Sequence, residues 1–170
     1  CLILFKRFEE KEDSMDGEEG VRLNVLYREA TVEDADEIVT LANAAYEREK
    51  KWKTSDRSNK TEVLDYISSP TATIYAGIAD EPKENLGEGV VRKLVCCILL
   101  QFRSSSSEGE RDTCFFGMLS VWPDMQYAGL GSRLLAEAER YVKERKGCVA
   151  MECVVAEFNS HLFPYYEHRG

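Results

Sequence analysis

The stretch Phe115-Phe116-Gly117-Met118-Leu119-Ser120-Val121-Trp122-Pro123-Asp124-Met125-Gln126-Tyr127-Ala128-Gly129-Leu130-Gly131-Ser132 decides how the rest of the sequence is read. Phe115 to Val121 is a strand-like run and Trp122-Pro123 ends it. Gly129 and Gly131 then open a helix whose apolar stripe is Leu134, Leu135, Ala138, Tyr141 and Val142. That helix runs from about Ser132 to Lys146, with Lys143, Arg145 and Lys146 in the last turn and Gly147 at its break. Glycine lets the backbone bend and approach a ligand closely, and the first amides of a helix have no acceptor within it, so the junction is a cradle for pyrophosphate. The loop lacks the G-x-G-x-x-G of a dinucleotide fold and the G-K-S/T of a P-loop, which leaves another diphosphate ligand as the better fit.

Working outward, Val149 to Val155 reads as the next strand, and Leu162 to His168 as a last helix with Pro164 tolerated in its first turn. Upstream, Thr73 to Ala79 and the apolar run Leu94 to Leu100 are core strands. The connections Asp80 to Gly89 and Ser104 to Asp112 are loops by their Gly, Pro and Ser content. Val25 to Arg28 is a short strand, and Thr31 with Asp34 forms a T-x-x-D helix start. Ala35, Ile38, Leu41, Ala42 and Ala45 carry that helix to about Glu49, and a shorter helix spans Thr61 to Ser68, stopped by Pro70. Lys6 to Gly20 has almost no apolar residues to offset the entropy of ordering, so residues 1–24 read as a disordered acidic tail and 25–170 as one domain. Met15 within that tail reads as a plausible start, with Cys1 to Ser14 upstream of it.

The formal net charge of -9 opposes the basic footprint that nucleic acid requires. The apolar run Leu2 to Phe5 is far too short to cross a membrane or serve as a secretory signal. The six cysteines contain no C-x-x-C pair and sit mostly in strand-like runs, as buried thiols of a reducing compartment do, which suggests a cytoplasmic setting. The two histidines, His161 and His168, have no metal-ligand spacing, so no metal is expected.

Val121-x-Pro123 followed by Gln126-x-x-Gly129-x-Gly131 resembles the coenzyme A signature of the GNAT acetyltransferase superfamily. The resemblance extends over about residues 27–170, because the order of strands and helices is similar to that family's. A second match is Asn159 followed by Tyr165-Tyr166-Glu167-His168-Arg169-Gly170. The resemblance implies an α/β fold with a mixed central β-sheet flanked by helices, lacking the last strands, since the family continues past the position of Gly170 with two more. It implies acetyl-CoA as cosubstrate and direct transfer of the acetyl group to an amine acceptor, more readily a small molecule than a protein.

By the same resemblance the amides of Gln126, Tyr127, Ala128, Gly129, Leu130, Gly131 and Ser132 hold the pyrophosphate. The main chain of Leu119, Ser120 and Val121 pairs with the pantetheine arm, and Asn159 hydrogen-bonds it. Tyr166 becomes the general acid that protonates the leaving thiolate. Many members carry a glutamate base on the signature strand; here that strand offers none, and Glu152 on the next strand is the nearest carboxylate. The missing base leaves a second reading, a coenzyme A-binding sensor or interaction module without catalysis. An unfinished sheet edge after Val155 would suit a homodimer.

Overall fold

The computed structural model describes residues 2–8, 23–47, 55–82, 90–104 and 112–169. In chain order the elements are β1 (Leu2–Arg7), β2 (Val25–Glu29), α1 (Ala35–Ala45), α2 (Lys60–Ser68), β3 (Ala72–Pro82), β4 (Val90–Arg103), β5 (Thr113–Val121), α3 (Leu130–Lys146), β6 (Ala150–Val155) and α4 (Phe163–Arg169). The strands form one sheet in the order β1-β6-β5-β4-β3-β2. Every neighbouring pair is antiparallel except β5 and β6, which run parallel.

Helices cover both faces, so the central strands are apolar on both sides. On one face Ile38, Leu41 and Ala42 of α1 and Val63 of α2 pack with Ile74, Ala76, Cys97, Leu99 and Met118. On the other, Leu130, Leu134, Leu135, Ala138 and Val142 of α3 pack with Cys96, Ile98, Leu100, Phe116 and Met151. Each buried Leu, Ile or Val contributes on the order of 1.5–3 kcal/mol relative to exposure, so these stripes fix which side of the sheet each helix takes. The start of α1 is tied down as its T-x-x-D pattern requires: the Asp34 carboxylate accepts from the Thr31 amide at 2.7 Å and receives both forks of Arg28 at 2.7 and 2.9 Å. It ends at Ala45, not near Glu49.

The largest difference from the sequence reading lies at the chain's start. Leu2–Arg7 form a strand within the segment read as tail, pairing antiparallel with β6 from Leu2↔Val155 to Arg7↔Ala150. The run Leu2-Ile3-Leu4-Phe5 has the composition of a strand, and the open edge of β6 supplies the partner that a local reading of the sequence could not see. The edge after Val155 is therefore occupied, which removes the reason for pairing a second chain there. Residues 9–22, the rest of the acidic segment, lie outside the described residues. The five described cysteines are free and buried.

Gly77 sits where β2, β3 and β4 press together. A Cβ there would meet Cys96 Sγ at 2.6 Å and Tyr27 Cε1 and Val25 Cγ1 at 3.0 Å each. Gly77→Ala is expected to destabilise the fold by about 1–3 kcal/mol through overpacking. Gly117→Ala, whose added carbon meets only Phe115 Cε1 at 3.6 Å, stays within about 1 kcal/mol of the native protein. Thermal denaturation of the two variants side by side checks the contrast.

Candidate active site

The site begins where two strands part. β5 and β6 pair only through Thr113↔Ala150, Cys114↔Met151 and Phe115↔Glu152. Beyond that point β5 stays with β4 and β6 stays with β1, so a wedge opens between their carboxyl ends. Crevices of this kind, at the carboxyl ends of strands that change partners, are where open α/β sheets hold ligands.

Along the wedge β5 is irregular. Cys97 pairs with Ser120 and Leu99 with Gly117, so Met118 and Leu119 together oppose Ile98 alone. Met118 takes φ 49, a conformation non-glycine residues adopt at a cost, and its side chain is buried. The bulge takes Leu119 out of the ladder. Its carbonyl accepts instead from the Tyr46 hydroxyl at the end of α1, at 3.2 Å. Ser120 is fully buried, with its hydroxyl turned back to the Met118 carbonyl at 3.0 Å. Its side chain thus belongs to the core, and only its main chain is available to a ligand in the wedge.

The loop at the mouth is braced from its own side chains. Trp122 Nε1 donates to the Leu94 carbonyl at 2.7 Å, and Gln126 Nε2 donates to the Val121 carbonyl at 3.2 Å. Gln126 is extended, while Tyr127 and Gly129 take φ 68 and 76. These left-handed positions turn the chain sharply into α3, whose N-cap is Gly129. The helix has no capping side chain and no acidic residue in its first turn. The amides of Leu130, Gly131 and Ser132 in the first turn of α3 have no acceptor within the helix, and Arg133 donates to the Gly129 carbonyl at 3.0 Å. N–H groups without a helical acceptor at the positive end of a 17-residue helix suit an anion.

The other residues singled out from sequence divide into two groups. Tyr165 and Tyr166 of α4 reach the mouth: the Tyr165 hydroxyl lies 3.0 Å from Ser132 Oγ in the first turn of α3. The Tyr166 ring packs against Phe116 at 6.0 Å and edge-on to Tyr165 at 5.1 Å between centroids. Asn159 lies in the turn between β6 and α4, its amide bonded to the Ala156 carbonyl at 2.9 Å. Glu152 is elsewhere. It sits opposite Phe115, where the strands are still paired, and its carboxylate is held by Arg103. Leu119 is four residues further along β5, roughly 13 Å at strand rise.

The sequence reading missed the side-chain brace from Gln126, the Tyr165 contact with Ser132, and Tyr46. Tyr46 fell within a predicted helix, and nothing local marks a residue whose partner is 73 positions away. Burial pushes the thiols of Cys96, Cys97 and Cys114 up to about 12, so none of them is a nucleophile at neutral pH. Among the described residues no group of His, Cys, Asp and Glu could hold a metal ion.

Comparison with known proteins agrees with this geometry. The family model described as Acetyltransferase (GNAT) family matches residues 35–170. No curated protein matches the chain. Among solved structures, a tetramutant of the BH1408 protein from Bacillus halodurans is similar with TM-score 0.67 and 19% identity, over 85% of this chain and 92% of that one. PaiA N-acetyltransferase from Thermoplasma acidophilum, in complex with coenzyme A, is similar with TM-score 0.62 and 18% identity, over 87% and 89%. An aminoglycoside acetyltransferase from an uncultured soil metagenomic sample, in complex with sisomicin, gives TM-score 0.62 and 12% identity, over 85% and 86%. At these identities the likeness is one of fold.

The two loop glycines differ in what they tolerate. Gly129 has open space around it but φ 76, so Gly129→Val is strained whatever its neighbours, and it sets a branched side chain at the cradle. Gly131→Ala meets only Val121 Cγ2 at an ordinary 3.7 Å. Calorimetric titration with coenzyme A is expected to show at least about tenfold weaker binding for Gly129→Val, a loss of ~1.4 kcal/mol, and near-native binding for Gly131→Ala.

Proposed function

This chain belongs to the GNAT acetyltransferase family, and on that premise we propose that it is an N-acetyltransferase, carrying the acetyl group of acetyl-CoA directly to an amine. The observation that carries the proposal is the uncapped start of α3, where the amides of Leu130 to Ser132 have no acceptor within the helix, at the mouth of the wedge between β5 and β6. They fit the pyrophosphate of acetyl-CoA. The main chain of Leu119, Ser120 and Val121 then faces the pantetheine arm, and Asn159 closes on it from the far side of the wedge.

In the transfer step the amine nitrogen bonds to the thioester carbonyl carbon, and the carbon–sulfur bond breaks. The bulge at Met118 and Leu119 exposes main chain in the middle of the strand, suited to polarise that carbonyl with an N–H. Tyr166 delivers the proton that the departing thiolate takes up. The amine loses its own proton to water, because Glu152 is engaged by Arg103 and lies away from Leu119. Holding amine and thioester side by side supplies most of the acceleration. The raised cysteine thiols favour this direct route over an acyl-cysteine intermediate.

The acceptor is a small amine rather than a protein, and nucleic acid is no partner. No helix of the described residues is long and apolar enough to cross a membrane. The buried free thiols suit a cytoplasmic setting. A second reading, binding of acetyl-CoA without turnover, draws on one observation: the carboxylate of Glu152 is spent on an ion pair and β5 carries none.

Titration with acetyl-CoA followed by an amine screen separates the two readings. One equivalent bound with release of free thiol supports the transferase, and binding without release supports the sensor. For the transferase, Tyr166→Phe is expected to lower kcat about 10²-fold or more with little change in acetyl-CoA affinity, since proton transfer acts only in the transition state. Tyr165→Phe, which loses the contact with Ser132, is expected to weaken acetyl-CoA binding more than it slows turnover. Equal kcat in Tyr166→Phe and the native protein removes Tyr166 from the mechanism.

A further inference from the structure

We propose that Arg57 selects the acceptor, and that the acceptor is a small amine carrying a carboxylate, as an amino acid does; this rests on the transferase reading above. Arg57 lies in the segment that leads into α2, and its backbone is fixed to α1. The Asn43 side-chain oxygen Oδ1 accepts from the Arg57 amide at 2.8 Å and the Ser58 amide at 3.1 Å, while its Nδ2 donates to the Ser58 carbonyl at 3.0 Å. Ser58 is buried beneath this clamp. Arg57 therefore starts from a fixed point.

Its guanidinium lies over the Tyr46 ring, 4.7 Å from the centroid. The Tyr46 hydroxyl in turn donates to the carbonyl of Leu119, the residue the bulge lifts from the ladder. One tyrosine ring thus separates a cation from the strand beside which the thioester would react. This cation stands on the α1–α2 face of the sheet, and the cradle opens from the α3 side, so an acceptor held by Arg57 would not compete with the pyrophosphate for room.

Arg57 also lacks what a half-buried arginine ordinarily has. Its Nε is buried without a hydrogen-bond partner, and among the described residues no carboxylate pairs with it, in a chain of net charge -9. Glu62, which like Arg57 acts on the Tyr66 phenol, is instead occupied by the Ser58 hydroxyl at 3.1 Å and the Tyr66 hydroxyl at 3.4 Å. The Nε is closed off, so a ligand meets the terminal nitrogens of this half-buried side chain, and the planar end of a guanidinium matches a carboxylate with two parallel hydrogen bonds. The missing partner is most simply part of the substrate.

The test uses matched acceptors, an amino acid and its carboxamide, with the full chain and acetyl-CoA. The native protein is expected to favour the amino acid by at least about tenfold in kcat/KM, and Arg57→Ala to bring that ratio close to unity, chiefly through KM. Arg57→Lys, which keeps the charge and loses the fork, is expected to restore part of it. Absence of preference in the native protein, or a ratio that Arg57→Ala leaves intact, overturns the proposal. Calorimetric binding of the same two compounds to the native protein and Arg57→Ala reads recognition without turnover. Tighter binding of the amino acid, lost in Arg57→Ala, supports the Arg57 site even if no acetyl group is transferred, in which case the transferase reading alone fails. Equal binding of both compounds sinks the assignment of Arg57 whatever the fate of that reading.

Discussion

The parting of β5 from β6 after Phe115 is the constraint on which the rest of the structure depends. Two parallel strands that stayed paired would leave no room for a ligand between them, and each would spend its main-chain groups on the other. By separating, each strand keeps one partner, β4 or β1, and offers its second edge to the wedge. That arrangement is stable only because α3 and α4 close over the opening with apolar contacts. Leu130, Leu134 and Leu135 sit beneath the loop, and Tyr165 and Tyr166 pack against the same cluster.

Two departures from regular geometry equip this opening. The bulge at Met118 and Leu119 places a buried methionine at positive φ, a strain the packing around it offsets. In return Leu119 is freed from the ladder and meets Tyr46. The second departure is the left-handed pair Tyr127 and Gly129, which turns the chain sharply into α3. Strain at Met118 and Tyr127, the left-handed turn at Gly129 and an uncapped helix end concentrate within about a dozen residues. Such costs are expected to gather where a fold holds a ligand.

The two faces of the sheet divide the labour. On the α3 side, the cradle proposed for phosphates is built from amides and a helix end and needs no particular side chains. On the α1–α2 side, Asn43, Tyr46, Arg57 and Glu62 form a polar cluster built from side chains. A main-chain site serves a ligand common to a whole family, and a side-chain site is where one member differs from another.

The sequence by itself determined β2 to β6 and the helices, because these are written in short-range terms. The spacing of apolar residues gave α1 and α3, the T-x-x-D pattern gave the start of α1, and Gly129 with Gly131 marked the turn from strand into helix. What it left open involves partners distant along the chain. Leu2–Arg7 became a strand because β6 offered an edge, and the carboxylate of Glu152 was taken up by Arg103. The bulge at Met118 exists only against the register of β4, and Arg57 acquires meaning only once Asn43 and Tyr46 hold it beside Leu119. Periodicity and glycine report local backbone preference, whereas an ion pair, a register or a missing partner is a relation between segments, and tertiary structure alone decides it.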